Sequence, residues 1–242
     1  MEYSPNQRTA IITGASSGIG KATAMAFAKS AINLCLMGRS QEKLAEVAKI
    51  VSEYGVKVKI VSLDLGELSN IRANIEAIVE ELGGVDILVN NAGMGYTNLL
   101  RETPLTDWQK VLNLNLTSVF ECVMGVLPHM RKQSQGTIIN VASIAANNYF
   151  PEWGTYAVSK AALVTFSQCL ALEERSNGIR VTTISPGAVN TPIWETETVQ
   201  ADFQKSAMLK PETVAEVILQ AVLLPQEAVI EQLTITHSIG VL

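Results

Sequence analysis

Short apolar runs alternate with longer stretches of helical periodicity along the whole chain. TAIIT (9–13), INLCLMG (32–38), KVKIVSLDL (57–65), VDILVNNAG (85–93), TIINVAS (137–143), IRVTTISPG (179–187) and QLTITHS (232–238) predict seven strands. The Ala-rich stretch 21–30 predicts a first helix. Residues 41–54 predict a second, with Leu44, Val47, Ala48 and Val51 at spacings of three and four. Further helices are predicted over 69–82, 107–130 (long, with interruptions), 155–175 and 211–223. Strands that alternate with helices imply right-handed crossovers and a parallel sheet covered on both faces. The near-continuous apolar strands fit burial on both sides. No linker and no internal repeat breaks the pattern. The expected architecture is therefore α/β, a Rossmann-like doubly wound sheet in one domain over 1–242.

One segment departs from the pattern. Residues 188–210 are polar, irregular and free of strand-like runs. A loop of that length in a compact domain is usually a lid or a binding loop. Glu195, Glu197 and Asp202 favour solvent, whereas Ile193, Trp194 and Phe203 favour burial. With few apolar contacts to hold it, the segment is expected to be mobile until cofactor and substrate order it.

Composition narrows the function classes. With 48% hydrophobic and 17% charged residues, the 242-residue chain can bury a sizeable core. A net charge of −5 argues against nucleic acid, which needs a clustered basic surface. No uninterrupted apolar run reaches bilayer-spanning length, and the N-terminal MEYSPNQR lacks an apolar stretch. The expectation is a cytoplasmic protein without a membrane partner. Cys35, Cys122 and Cys169 lie far apart in apolar contexts and are expected to be buried small hydrophobes. His129 and His237 are too few and too isolated for a metal site or a serine–histidine hydrolase.

Candidate chemistry begins where the first strand ends. Thr13-Gly14-Ala15-Ser16-Ser17-Gly18-Ile19-Gly20 runs from strand to helix. Glycines permit a tight turn and close approach of a pyrophosphate, and the helix start offers free N–H groups and a positive dipole end. Gly14, Ser16, Ser17, Gly18, Ile19 and Gly20 are thus candidate dinucleotide contacts. At the end of the second strand an NAD site places a carboxylate on the ribose. Here the chain reads Met37-Gly38-Arg39-Ser40. Gly38 leaves room, and the planar fork of Arg39 suits a 2′-phosphate, which points to NADP(H).

The ordered set Thr13-Gly14-x-x-x-Gly18-x-Gly20, Asn90-Asn91-Ala92-Gly93 and Tyr156-x-x-x-Lys160 resembles the short-chain dehydrogenase/reductase family over essentially the whole chain. The resemblance implies Asp64 and Leu65 at the adenine ring, and Asn91, Ala92 and Gly93 beside the adenosine ribose. It implies Pro186, Gly187, Val189 and Thr191 around the nicotinamide. Asn115, Ser143, Tyr156 and Lys160 match its catalytic residues, with Tyr156 and Lys160 also touching the cofactor. Tyr156 and Lys160, four apart on a helix, share a face. A nearby ammonium lowers a phenol from its usual pKa of ~10 and readies it for proton exchange. Ser143 would hold the carbonyl, and Asn115 would hold a water that links Lys160 to solvent. The C-terminal stretch Ala228–Thr236 lacks paired glycines and is more similar to the NADP-preferring branch of carbonyl reductases and 3-hydroxy acid dehydrogenases.

Substrate contacts are expected from loops at the carboxyl ends of the strands. Those loops carry Met94, Tyr96, Ala145, Asn147, Tyr149, Phe150, Trp153, Ile193, Trp194 and Phe203. The implied activity is NADPH-dependent, reversible reduction of a small ketone or aldehyde. The alternatives are a 3-oxoacyl-[acyl-carrier-protein] reductase and a non-catalytic NADP-binding regulator. The family resemblance further implies a homodimer or homotetramer built on helices 107–130 and 155–175.

Overall fold

The structure, a computed structural model, describes residues 7–201 and 205–240. Seven parallel strands form one sheet: β1 (Thr9–Thr13), β2 (Asn33–Gly38), β3 (Val58–Ser62), β4 (Ile87–Asn90), β5 (Gly136–Val141), β6 (Ile179–Pro186) and β7 (Gln232–Ile235). Their order is β3-β2-β1-β4-β5-β6-β7, so the winding reverses between β1 and β4. Seven α-helices are found among the described residues. They are α1 (Gly18–Lys29), α2 (Gln41–Ser52), α3 (Ile71–Leu82), α4 (Leu105–Leu112), α5 (Ser118–Lys132), α6 (Gly154–Glu174) and α7 (Pro211–Leu223). The expected doubly wound α/β fold is the one observed.

Alternation along each strand sorts side chains into two cores. Ala10, Ile12, Leu34 and Leu36 pack with Phe27 of α1, Leu44 of α2 and Ile218 of α7. Ile11, Cys35, Met37 and Leu88 point the other way, onto Ile75 of α3, Val123 of α5 and Leu163 of α6. The two edge strands depart from the expected two-sided burial: β3 is half-buried and β7 alternates exposed with half-buried positions. An edge strand lacks a neighbour to bring a helix over its outer half.

The interrupted helix resolves into α4, a π turn (Asn113–Thr117) and α5. Taken as one continuous helix, 105–132 is long and apolar enough to cross a bilayer, which an uninterrupted-run reading misses. Half of its most apolar stretch is buried within the fold, against the sheet and α3. Cys35 and Cys122 are buried as expected, and burial pushes both thiols up to about 12. Cys169 is instead exposed. It lies on α6, whose outward surface also carries the exposed Val158 and Leu172, so an apolar sequence context there does not report burial.

The segment after β6 is more firmly held than its composition predicts. Val189 pairs with Leu209 across a short parallel bridge, through Asn190 N–H to Leu209 O and Leu209 N–H to Ala188 O, both 2.9 Å. Thr97 N–H donates to Thr198 O at 2.9 Å, and the Thr198 hydroxyl to Gly95 O at 2.8 Å. Val189, Val199, Met208 and Leu209 are buried. The partners of Thr198, Gly95 and Thr97, come from the loop after β4, which no local reading of 188–210 contains. Asp202 and Phe203 lie outside the described residues.

Candidate active site

A cleft of about 1200 Å³ opens at the carboxyl ends of the strands, over the reversal between β1 and β4. That is larger than the ~300–1,000 Å³ typical of a single drug-sized ligand. Its floor is the glycine turn. Gly14 has φ +65°, and a Cβ there would lie 2.9 Å from Ala92 Cα. A Cβ on Gly20 would sit 2.2 Å from the Gly14 carbonyl oxygen, so Gly20 closes the turn from beneath rather than lining the cleft. Asn91 fastens the turn from the β4 side, donating from Nδ2 to the carbonyls of Thr13 (3.1 Å) and Gly14 (3.2 Å). The Thr13 hydroxyl accepts from the N–H groups of Asn91 and Ala92, each at 3.0 Å. Ser16, Ser17, Gly18 and Ile19 line the cleft. Ser17, the N-cap of α1, makes no side-chain cap, and the first turn has no acidic residue. The first N–H groups of α1 are therefore left for an anion.

Arg39 is exposed on the cleft rim beside Gly38. Lys43 joins it, one turn into α2, whose start is capped by Ser40 accepting from Lys43 N–H at 3.3 Å. Sequence reading missed Lys43, although its position four after Arg39 at a helix start was a usable signal. Asp64, Leu65, Asn91, Ala92, Gly93, Pro186, Gly187, Val189 and Thr191 all line the same cleft. A Cβ on Gly18 would lie 2.9 Å from Thr191 Cγ2, so the glycine turn and the segment after β6 meet across it.

Ser143, Tyr156 and Lys160 line the opposite wall. Ser143 ends the run out of β5, and its Oγ accepts from Ala145 N–H at 3.1 Å. That bond occupies an acceptor and leaves the hydroxyl hydrogen free to donate. The Tyr156 phenol is raised above its ordinary value by burial, opposed by a hydrogen bond with Ser143. Lys160 is buried and donates to the Val141 carbonyl at 2.9 Å; burial lowers it to about 8. The expected acidification of Tyr156 by Lys160 is thus not what the structure holds. The ammonium is 5.8 Å from the phenol ring centroid, and desolvation dominates both groups.

Asn115 sits in the π turn, fully buried and outside the cleft lining. Its Oδ1 accepts from Met94 N–H (2.8 Å), while Nδ2 donates to Met94 O (3.0 Å) and Ser159 Oγ (3.0 Å). Both amide donors are engaged, so the side chain clamps the loop after β4 to α6. The expected water-holding role therefore does not fall to the amide N–H groups.

Of the expected substrate contacts, Met94, Ala145, Phe150, Trp153, Ile193 and Trp194 line the cleft. Asn147, Tyr149 and Tyr96 do not. The short turn Ile144–Ala146 carries the chain away, leaving Asn147 and Tyr149 exposed. Tyr96 is buried and donates to Asp107 Oδ2 at 2.9 Å.

Residues 8–202 match the family model described as short chain dehydrogenase. The chain belongs to that family. An uncharacterised oxidoreductase of Staphylococcus epidermidis is 31% identical over 229 residues, 95% of this chain and 96% of that one. A 3-oxoacyl-[acyl-carrier-protein] reductase of Thermotoga maritima is 35% identical over 218 residues, 88% and 89% of the two chains. Among solved structures, the alcohol dehydrogenase of the archaeon Thermococcus sibiricus, complexed with 5-hydroxy-NADP, superposes with a TM-score of 0.88. It is 27% identical, and the alignment covers 97% of this chain and 98% of that one. Membership of this family makes the chain an oxidoreductase.

Proposed function

We propose that this short-chain dehydrogenase is an NADP(H)-dependent reductase of ketones and aldehydes, working reversibly as an alcohol dehydrogenase. The observation that carries the reading is the convergence of Ser143, Tyr156 and Lys160 on one wall of a cleft whose other wall is an uncapped helix start. The residues present fit the cofactor. The free N–H groups of α1 suit a pyrophosphate, and Arg39 with Lys43 suits a 2′-phosphate beside Gly38. The solved NADP-type complex of a structural relative supports the same choice.

NADP(H) held there supplies the hydride in reduction and accepts it in oxidation. Ser143 donates its hydroxyl to the carbonyl oxygen and fixes its position. Tyr156, a phenol and so protonated at neutral pH, passes its proton to that oxygen as the carbon is reduced, giving the alcohol. The resulting phenolate is left beside Lys160, and a proton from solvent restores the phenol. The Arg39 end and the Tyr156 end of the cleft thus divide binding from chemistry.

The exposed Phe120, Val158 and Leu172 on α5 and α6 support a homodimer or homotetramer built on those helices. The test of function is NADPH absorbance with a panel of ketones, aldehydes and 3-oxoacyl thioesters. Carbonyl-dependent oxidation of NADPH is expected. A preference for the carrier-bound thioester, favoured by the Thermotoga relative, would move the protein to acyl reduction. Tight NADPH binding with no turnover would make it a regulator.

A further inference from the structure

Three aromatic rings stand in consecutive contact at the reactive end of the cleft. The Trp153 ring lies 5.4 Å from the Tyr156 ring at 73°, and 5.7 Å from the Trp194 ring at 62°. Both contacts are edge-to-face, the arrangement aromatic groups prefer. Trp194 is held by its indole N–H, which donates to Val189 O at 2.7 Å, within the turn Pro192–Glu195. Both tryptophans line the cleft and are only partly buried, so each keeps a surface for a ligand.

Charge sorts the ligands that fit. The cations lining the cleft are Arg39, Lys43, Lys110 and Lys160. Arg39 and Lys43 belong to the phosphate end, Lys110 to α4, and Lys160 is buried on Val141 O. The segments 144–156 and 187–199, which carry the aromatic wall, contain no lysine or arginine. They contribute Glu195 and Glu197 to the lining instead, Glu195 paired outward with Lys205. A carboxylate seated on this wall would lose its hydration and face Glu195 and Glu197, with no lysine or arginine supplied by either segment.

We propose that the substrate of this reductase carries its carbonyl on a chain ending in an uncharged aromatic ring, which packs against Trp153 and Trp194. The inference rests on the carbonyl-reductase reading above and names the substrate class of that site. With the carbonyl oxygen at Ser143 and Tyr156, the Trp153 ring, 5.4 Å from the phenol ring, is within reach of a substituent on the carbonyl carbon. A planar group continues the edge-to-face series there; a saturated ring of similar size does not. In the reaction, hydride adds to the carbonyl carbon, the Tyr156 proton goes to its oxygen, and NADPH leaves as NADP+.

The test compares 4-phenylbutan-2-one, 4-cyclohexylbutan-2-one and 4-(4-carboxyphenyl)butan-2-one, whose carbonyls are equally insulated from the ring. With saturating NADPH, kcat/KM is expected to be about 2–10-fold higher for the phenyl than for the cyclohexyl ketone. It is expected to be at least ~10-fold higher than for the carboxylate. Trp194→Leu should abolish the phenyl preference, and Trp194→Phe, which keeps a ring, should retain it. Equal kcat/KM for the phenyl and cyclohexyl ketones, or a preference for the carboxylate, overturns the proposal and leaves carbonyl reduction standing. Calorimetry on the Tyr156→Phe protein with NADPH separates the two claims. Tighter binding of the phenyl ketone there supports the aromatic site even if the wild type reduces none of the three, a result that would sink the reductase reading alone. No binding and no turnover overturns both.

Discussion

Lys160 Nζ lies 5.8 Å from the centroid of the Tyr156 ring, while its 2.9 Å hydrogen bond runs to the carbonyl of Val141. Two titratable groups that share a helix face are thus both governed by burial, which raises the phenol and lowers the ammonium. Their roles divide accordingly: a protonated Tyr156 is a donor, and a Lys160 with a pKa near 8 still carries most of its charge at neutral pH.

Tyr156→Phe should lower turnover by about 10²–10⁴-fold, the usual effect of losing a general acid. The ring contact with Trp153 survives in this variant, so the fold and NADPH affinity should be retained. Steady-state rates together with NADPH fluorescence titration check this. Full activity in Tyr156→Phe would sink the mechanism.

Lys160→Met should be more stable than the wild type near pH 7 in the absence of NADPH. Below pH 8 the lysine is charged in both the folded and the unfolded chain, and the fold bears the cost of burying it. Between about 8 and 10.5 the folded side chain is neutral while the unfolded one keeps its proton, so wild-type stability rises with pH across that window. A shift of this size corresponds to on the order of 3 kcal/mol. Urea unfolding at pH 7 and pH 10 should show the gap between the two proteins shrinking; a constant gap contradicts the account.

Arg39→Ala should weaken NADPH by roughly 10–150-fold, the equivalent of one charged hydrogen bond of about 1.5–3 kcal/mol, with little effect on NADH. Lys43→Ala should act in the same direction. Gly38→Asp combined with Arg39→Leu should reverse the preference. A Cβ at Gly38 meets Leu44 Cδ2 and Ser16 Oγ only at 3.6 Å, which leaves room for the new carboxylate. Cofactor titrations read all three, and equal affinity of the native protein for NADH and NADPH would remove the assignment.

Glu174→Gln should destabilise the protein by about 1–3 kcal/mol at neutral pH. Glu174, buried at the end of α6, accepts from Arg131 Nε and Asn177 Nδ2, each at 2.9 Å. Its pKa is depressed, first by the Arg131 hydrogen bond. That contribution is present above the ordinary carboxylate value near 4.5 and is lost as pH falls through the folded value. Thermal melts at pH 7 and pH 3 should therefore show the variant's deficit fading in acid.

Hydrogen exchange should find the amides of Thr97, Asn190 and Leu209 protected even without NADPH, because each donates to a backbone carbonyl. Free exchange at these positions, with protection only after NADPH is added, would restore the picture of a lid hinged just after Gly187.

The strand–helix alternation, the glycine turn and the Tyr156–Lys160 spacing were legible because each is local. Side-chain period, φ preference and helical repeat are written within a few consecutive residues. Arg39 was legible for the same reason, since it directly follows the second strand. What escaped depended on how the elements are placed in space. Cys169 has an apolar context but an exposed place on α6, because a helix in a sequence does not say which face the sheet will take. Asn147 and Tyr149 are close to Ser143 in sequence, yet a single turn at Ile144–Ala146 carries them out of the cleft. The segment after Gly187 is polar in sequence and held in the fold, since Gly95 and Thr97, some hundred residues earlier, supply its hydrogen bonds. Only the tertiary structure decided that Trp153, Trp194 and Tyr156 form one wall, and that burial, opposed by the Ser143 hydrogen bond, would raise the phenol's pKa. Desolvation and ring packing depend on what surrounds a group in space, and the chain order of these residues does not contain it.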